Sequence, residues 1–189
     1  MQTIQFVYFG SICTRSKISS VDRNVTLPAH TVENEILLML TVHRSAHFEI
    51  VVPERPHVTR RDGGHLIINP KVAVEDRTHL TREQAIELVK LTMVVGEAMK
   101  TVLTRSGIPI GRINYQDNGN WRHELHVHLY GRSRDATIQP WGTFLQIPPT
   151  RETFNAKMGN LEPLNADDAR ELGAEIERLL GIKKYREFS

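Results

Sequence analysis

His123-Glu124-Leu125-His126-Val127-His128-Leu129-Tyr130-Gly131-Arg132 alternates strictly between apolar and polar residues from Glu124 to Leu129. Side chains of an extended strand point to opposite faces in turn, so Leu125, Val127 and Leu129 share one face and Glu124, His126, His128 and Tyr130 the other. The first face is apolar and packs. The second projects two imidazoles and a carboxylate at steps of about 6.6 Å, denser in titratable groups than a solvated edge strand requires. The strand is predicted from about Trp121 to Tyr130. It is entered from the polar loop Gln116-Asp117-Asn118-Gly119-Asn120, whose Asn118-Gly119 pair is a strong turn signal, and Arg112-Ile113-Asn114-Tyr115 precedes that loop as a partner strand.

Upstream, Glu35-Ile36-Leu37-Leu38-Met39-Leu40-Thr41-Val42 and Phe48-Glu49-Ile50-Val51-Val52 read as neighbouring strands joined by the polar connection His43 to Ala46. Pro53 and Pro56 end the second, and Gly63-Gly64 lead into a third, His65-Leu66-Ile67-Ile68-Asn69-Pro70, closed by its own proline. Thr81-Arg82-Glu83-Gln84 is a capping box, and the helix it opens is predicted to run to about Arg105, with Gly107 as its stop. Leu88, Leu91, Val95, Met99 and Val102 recur every three or four residues, and Ile86, Val89 and Met93 are read as widening that stripe towards the core. After Arg132, Pro140, Trp141, Pro148 and Pro149 precede a last helix. Asn165 caps it, Leu172, Ile176 and Leu179 line one side, and Gly181 closes it. The expectation is an α+β fold. An antiparallel sheet of about five strands carries the long helix across one face, and the histidine face opens to a cleft. The chain divides into an N-terminal arm (1–35), the domain itself (36–134) and a C-terminal extension packed on it (135–189).

The 189 residues, 40% hydrophobic and 24% charged, suit one globular domain with extensions. Lys and Arg total 24 against 22 Asp and Glu, a net charge of +2, so no nucleic acid polymer or membrane surface is expected as partner and any anion site must be local. The single cysteine, Cys13, excludes an internal disulfide framework and points to a reducing compartment, the cytoplasm. The apolar run Phe6 to Phe9 falls short of the roughly 7–15 residues of a signal-peptide core and the ~20 of a membrane span. Of the nine histidines, His30, His43, His47, His57 and His79 have no partner at a telling spacing and are assigned ordinary surface or structural roles.

The strand Glu124 to Tyr130, with Gly131-Arg132 after it, resembles the signature of the histidine triad family, His-φ-His-φ-His-φ-φ followed by Gly and Arg, with φ apolar. His65 to Pro70 resembles that family's upstream His-aliphatic strand. The loop Asn114 to Asn120 sits where members carry an Asn followed by a Gly-Gln pair, and the long helix lies between the two motifs as expected, so the resemblance spans about 36–134. It implies a nucleotide hydrolase or nucleotidyl transferase in which His126 attacks an α-phosphate to form a nucleotidyl-histidine. His128 and His65 would donate to the phosphoryl oxygens, and Asn114, Gly119 and Asn120 would complete the cradle. Trp121 would wall the site, and Glu54, or else Asp62, would meet the ribose hydroxyls. The resemblance also implies a nucleotide or nucleotide-conjugate substrate, no required cofactor, and a homodimer formed by extending the sheet and packing the long helix. Glu124 departs from the pattern by standing where the first motif histidine belongs, with His123 moved to the other face. Its carboxylate is expected to accept a hydrogen bond from an imidazole and stabilise that imidazole's cationic form.

Two other readings stand beside this one. His65, Glu124, His126 and His128 form a three-histidine, one-carboxylate set able to hold zinc, manganese or iron for a hydrolase or an oxygenase. Alternatively, Glu124 marks a nucleotide-binding module that no longer turns over. The leaving group stays open among dinucleoside polyphosphate, phosphoramidate, adenylylated amine and sugar nucleotide.

Overall fold

A computed structural model describes residues 39–188 apart from 118. The predicted arm and the first residues of the predicted first strand therefore lie outside the described residues. Five strands, β1 (Leu40–Arg44), β2 (Phe48–Val52), β3 (His65–Pro70), β4 (Ile110–Gln116) and β5 (Val127–Ser133), form one antiparallel sheet in the order β1-β2-β3-β5-β4. The helices are α1 (Arg82–Arg105), α2 (Arg151–Met158), α3 (Ala166–Gly181) and the short α4 (Lys183–Arg186). Among the described residues no helix is long and apolar enough to cross a membrane.

Local sequence starts the two long helices where expected. The Thr81 hydroxyl accepts from the Gln84 amide at 3.2 Å while the Gln84 side chain accepts from the Thr81 amide at 2.9 Å. Asn165 and Asp168 repeat the arrangement at α3. Leu66 and Ile68 of β3 and Val127 and Leu129 of β5 form the core with Leu91, Val95, Met99 and Val102 of α1 and Leu172, Ile176 and Leu179 of α3. Each such side chain contributes on the order of 1.5–3 kcal/mol by leaving water. α3 crosses β1 closely at Gly173, where any Cβ would press on the Val42 carbonyl.

Three expectations are corrected. Val89 and Met93 do not widen the core stripe of α1. They are 51% and 39% exposed and lie on the helix's outer side, where Tyr115 of the edge strand β4 packs its hydroxyl over Gly96. At 100° per residue the buried positions already fill the inward arc, so Val89 and Met93 turn out of it. β5 begins at Val127, six residues later than predicted, because Pro70 ends β3 and β4 ends opposite His128. Leu125 bonds instead to the carbonyl of Val74. The histidine face is more covered than expected, and its cleft is confined to His126. Phe154 of α2 lies against the His57 ring beside it, and His65, His126 and His128 are 1%, 8% and 7% exposed.

Residues 137–146 are held to the sheet through their main chain. Asp62, 1% exposed, accepts the amides of Thr137, Ile138 and Gln139 at 2.7–2.9 Å. The buried Arg132 donates to the carbonyls of Gln139, Pro140 and Thr143. An Asn at position 62 turns an NH2 towards amides that need an acceptor. We expect Asp62→Asn to lower unfolding free energy by about 2–3 kcal/mol, measured by urea denaturation, with exposed Asp135→Asn as a neutral control.

Candidate active site

The β3–β5 ladder sets His65 opposite Tyr130 and Ile67 opposite His128, so His65, His128 and Tyr130 share the face away from α1. Nε2 of His65 and Nδ1 of His128 lie 2.9 Å apart although 63 residues separate them. The main-chain amide of His57 meets the other nitrogen of His65, Nδ1, at 3.1 Å. An amide only donates, so Nδ1 of His65 carries a lone pair and neutral His65 keeps its proton on Nε2. That proton points at Nδ1 of His128. Neutral His128 therefore holds its own proton on Nε2, as a hydrogen-bond donor.

His126 immediately precedes β5, and its ring stands edge-on to that of His128 with centroids 4.6 Å apart. Its Nδ1 donates to the Glu124 carbonyl at 2.7 Å. A carbonyl only accepts, so Nε2 of His126 is left with a free lone pair. Two adjacent imidazoles thus hold opposite tautomers, one nucleophilic and one donating.

Burial keeps the cluster neutral. It lowers His57 to about 4 and His128 to about 2, and lowers the fully buried His65 well below the usual value. Burial also lowers His126, partly offset by the bond to the Glu124 carbonyl and the nearby carboxylates of Glu124 and Asp117. The Arg122 guanidinium pushes His126 and His128 the same way as burial, and it donates to Asn69 at 2.6 Å.

Of the residues singled out from sequence, His65, His126 and His128 converge. Glu124 meets an imidazole through its carbonyl, with its carboxylate in solvent. The expected carboxylate bond is thereby corrected, since the chain turns at residue 124 before the strand begins. Gly119 and Asn120 line a cleft at His126 together with Glu75, Asp76, Asp117 and the displaced His123. Asn114 shares the histidine face and accepts from Arg132 at 3.4 Å, and Trp121 meets the His57 ring edge-on at 5.9 Å. Glu54 is exposed beyond β2, with no bond to the cluster. Asp62 is spent on three loop amides and is not offered to a ribose.

Sequence reading missed His57, Arg122 and Phe154. The partners of His57 are 8 and 73 positions away, so no local period could have flagged it. The other histidines assigned structural roles and described here are paired so, His43 with Glu177, His47 with Glu87 and His79 with Asp76.

Among the described residues, metal-ligand spacing falls on His57, His65 and His128 rather than on the set containing Glu124, whose side chain is exposed. An ion taken by Nε2 of His65 would drive that ring's proton onto Nδ1, against the His57 amide. These donors fit a shared proton better than a metal ion.

No family model matches the chain, and no curated protein is similar to it. Solved structures are. A histidine triad protein from Sinorhizobium meliloti 1021 is 20% identical with a TM-score of 0.55, over 79% of this chain and 96% of that one. A histidine triad protein from Bradyrhizobium japonicum is 14% identical with a TM-score of 0.54, over 81% and 96%. A zinc-bound histidine triad family protein from Mycobacterium smegmatis is 15% identical with a TM-score of 0.50, over 75% and 86%. The chain has the fold of histidine triad proteins.

The neutral cluster sets a pH dependence of stability. An unfolded histidine protonates near 6.5, whereas the folded His65 and His128 resist protonation to far lower pH. Their contribution is therefore constant above about pH 7. Below about pH 6.5, each buried imidazole costs up to roughly 1.4 kcal/mol per pH unit, because the unfolded chain takes up the protons. Urea denaturation at pH 7.5, 6 and 5 should show that decline, and His65→Asn should flatten it; a stability unchanged from pH 7.5 to 5 would contradict the neutral assignment.

Proposed function

We propose that the protein is a nucleotide hydrolase or nucleotidyl transferase that acts at an α-phosphate through a nucleotidyl-histidine. The observation that carries this reading is the bond from Nδ1 of His126 to the Glu124 carbonyl, which presents Nε2 as a nucleophile in a site held neutral. The Nε2 lone pair forms the bond to phosphorus as the bond from phosphorus to the leaving group breaks and that group takes the electron pair. Positive charge arising on the imidazole is met at Nδ1–H by the carbonyl and, at longer range, by the Glu124 and Asp117 carboxylates. His128 donates its Nε2–H to a phosphoryl oxygen, Arg122 supplies positive potential, and Gly119 and Asn120 border the entrance. Water, or another acceptor, then attacks phosphorus on the opposite side from His126, gives up its proton to solvent as the new O–P bond forms, and the breaking P–N bond returns its electron pair to Nε2. No step calls on a cofactor. The fold's histidine triad relatives favour a nucleotide-type ligand.

The exposed Val89 and Met93 beside Tyr115 on the edge strand support a homodimer that extends the sheet through β4 and packs α1 on its copy. Light scattering at micromolar concentration should give twice the chain mass for the parent and the chain mass for Met93→Glu.

Incubation with adenosine and guanosine polyphosphates and conjugates should release nucleoside monophosphate. His126→Ala and His126→Asn should abolish release while nucleotide affinity stays within about tenfold, or ~1.4 kcal/mol. Release at the parent rate by His126→Ala would remove the nucleophile assignment. Glu124→His leaves the carbonyl bond in place and removes a negative charge near the phosphate, so its rate should match or exceed the parent's. A sharp fall would show that the carboxylate's hold on the imidazolium outweighs its repulsion of the phosphate.

A further inference from the structure

His57 lies in the segment between β2 and β3 that has no ladder bonds of its own, yet its amide holds the nitrogen on which the tautomers of two other histidines depend. Something must keep that amide in place. The His57 ring does so by position. Its Nδ1 is 2.8 Å from the Tyr130 hydroxyl, and the ring sits 4.9 Å from Phe154, edge-on, and 4.8 and 5.2 Å from His65 and His128. Val58, fully buried, anchors the next residue. We propose that His57 is a positioning residue whose ring, pinned by Tyr130 and Phe154, holds its own main-chain N–H on Nδ1 of His65 and so fixes His128 as an Nε2–H donor.

The chemistry requires this order. Were His65 to carry its proton on Nδ1, its Nε2 would become an acceptor and Nδ1 of His128 would have to donate. Nε2 of His128 would then face a phosphoryl oxygen with a lone pair, and attraction would become repulsion. The backbone amide cannot change from donor to acceptor, so the setting holds wherever the His57 main chain is held. Tyr130, on the same strand as His128, thereby links the loop to the strand it serves.

The kinetic part of this role rests on the nucleotidyl-histidine reading; the tautomer part does not. The test is long-range 1H–15N correlation of the imidazoles in the parent, His57→Ala and Tyr130→Phe, together with kcat and KM for monophosphate release. Tyr130→Phe removes one oxygen and keeps the packing, so it serves even where His57→Ala fails to fold. In the parent, His65 and His128 should each show a single Nε2–H tautomer and His126 the Nδ1–H tautomer. In the variants the His65 and His128 signals should move to mixed tautomers, and kcat should fall about tenfold with KM within about twofold, as when an imidazole loses the group that orients it. Unchanged tautomers in folded variants overturn the proposal. Changed tautomers in a protein that releases no monophosphate uphold the positioning role and overturn the nucleotidyl-histidine reading instead.

Discussion

The pairing of β3 with β5 in one antiparallel register is the constraint from which the rest of the molecule follows. Side chains alternate with a period of two, so a slip of one residue would turn His65 into the core beneath α1 and expose Leu66 and Ile68 in its place. The register is locked beside the site by Gly63 and Gly131. Their backbones approach so closely that a Cβ on Gly131 would overlap the Gly63 carbonyl, and Gly63 has a φ of +128° that side chains rarely adopt. The Gly131 amide bonds the Gly64 carbonyl at 3.1 Å, closing the end of the ladder. Core packing, the meeting of His65 with His128 and the seat of His57 all inherit that alignment.

How much of this was legible depended on how local each determinant is. The capping box at Thr81 and the stop at Gly107 act within a few residues, and the helix falls between them as read. Alternation correctly separated Val127 and Leu129 from His128 and Tyr130, because period two is a property of the strand itself. It also overran the strand's start, since Leu125 keeps the alternation while bonding to Val74, and only the end of the partner at Pro70 marks the boundary. For the same reason His57 was invisible: its role lies in an amide and a ring that meet β3 and β5 in space. Glu124 was read by its carboxylate when its carbonyl makes the contact, and residue type says nothing about a carbonyl that every residue has.

The electrostatics have an unusual source. The site proposed to take an anionic phosphate is lined by imidazoles whose charge burial suppresses, which leaves donation to oriented N–H groups, with Arg122 alongside. Neutral donors of fixed direction do not need to be stripped of a tightly held hydration shell, and they do not quench a neighbouring lone pair. One amide on His65 and one carbonyl on His126 suffice to give chemically identical rings opposite duties.

Asp62 and Arg132 grip residues 137–146 by main-chain amides and carbonyls, which every amino acid except proline supplies in full. The course of this loop is thus set mainly by two residues outside it, with the buried Gln139 side chain closing it on the main chain of Gln146. Its outward side chains are correspondingly free to vary: Ile138 is 53% and Phe144 92% exposed without loosening the attachment. Selection or design can rewrite that surface to suit a new ligand or neighbour at little risk to folding, provided the anchoring carboxylate and guanidinium stay in place.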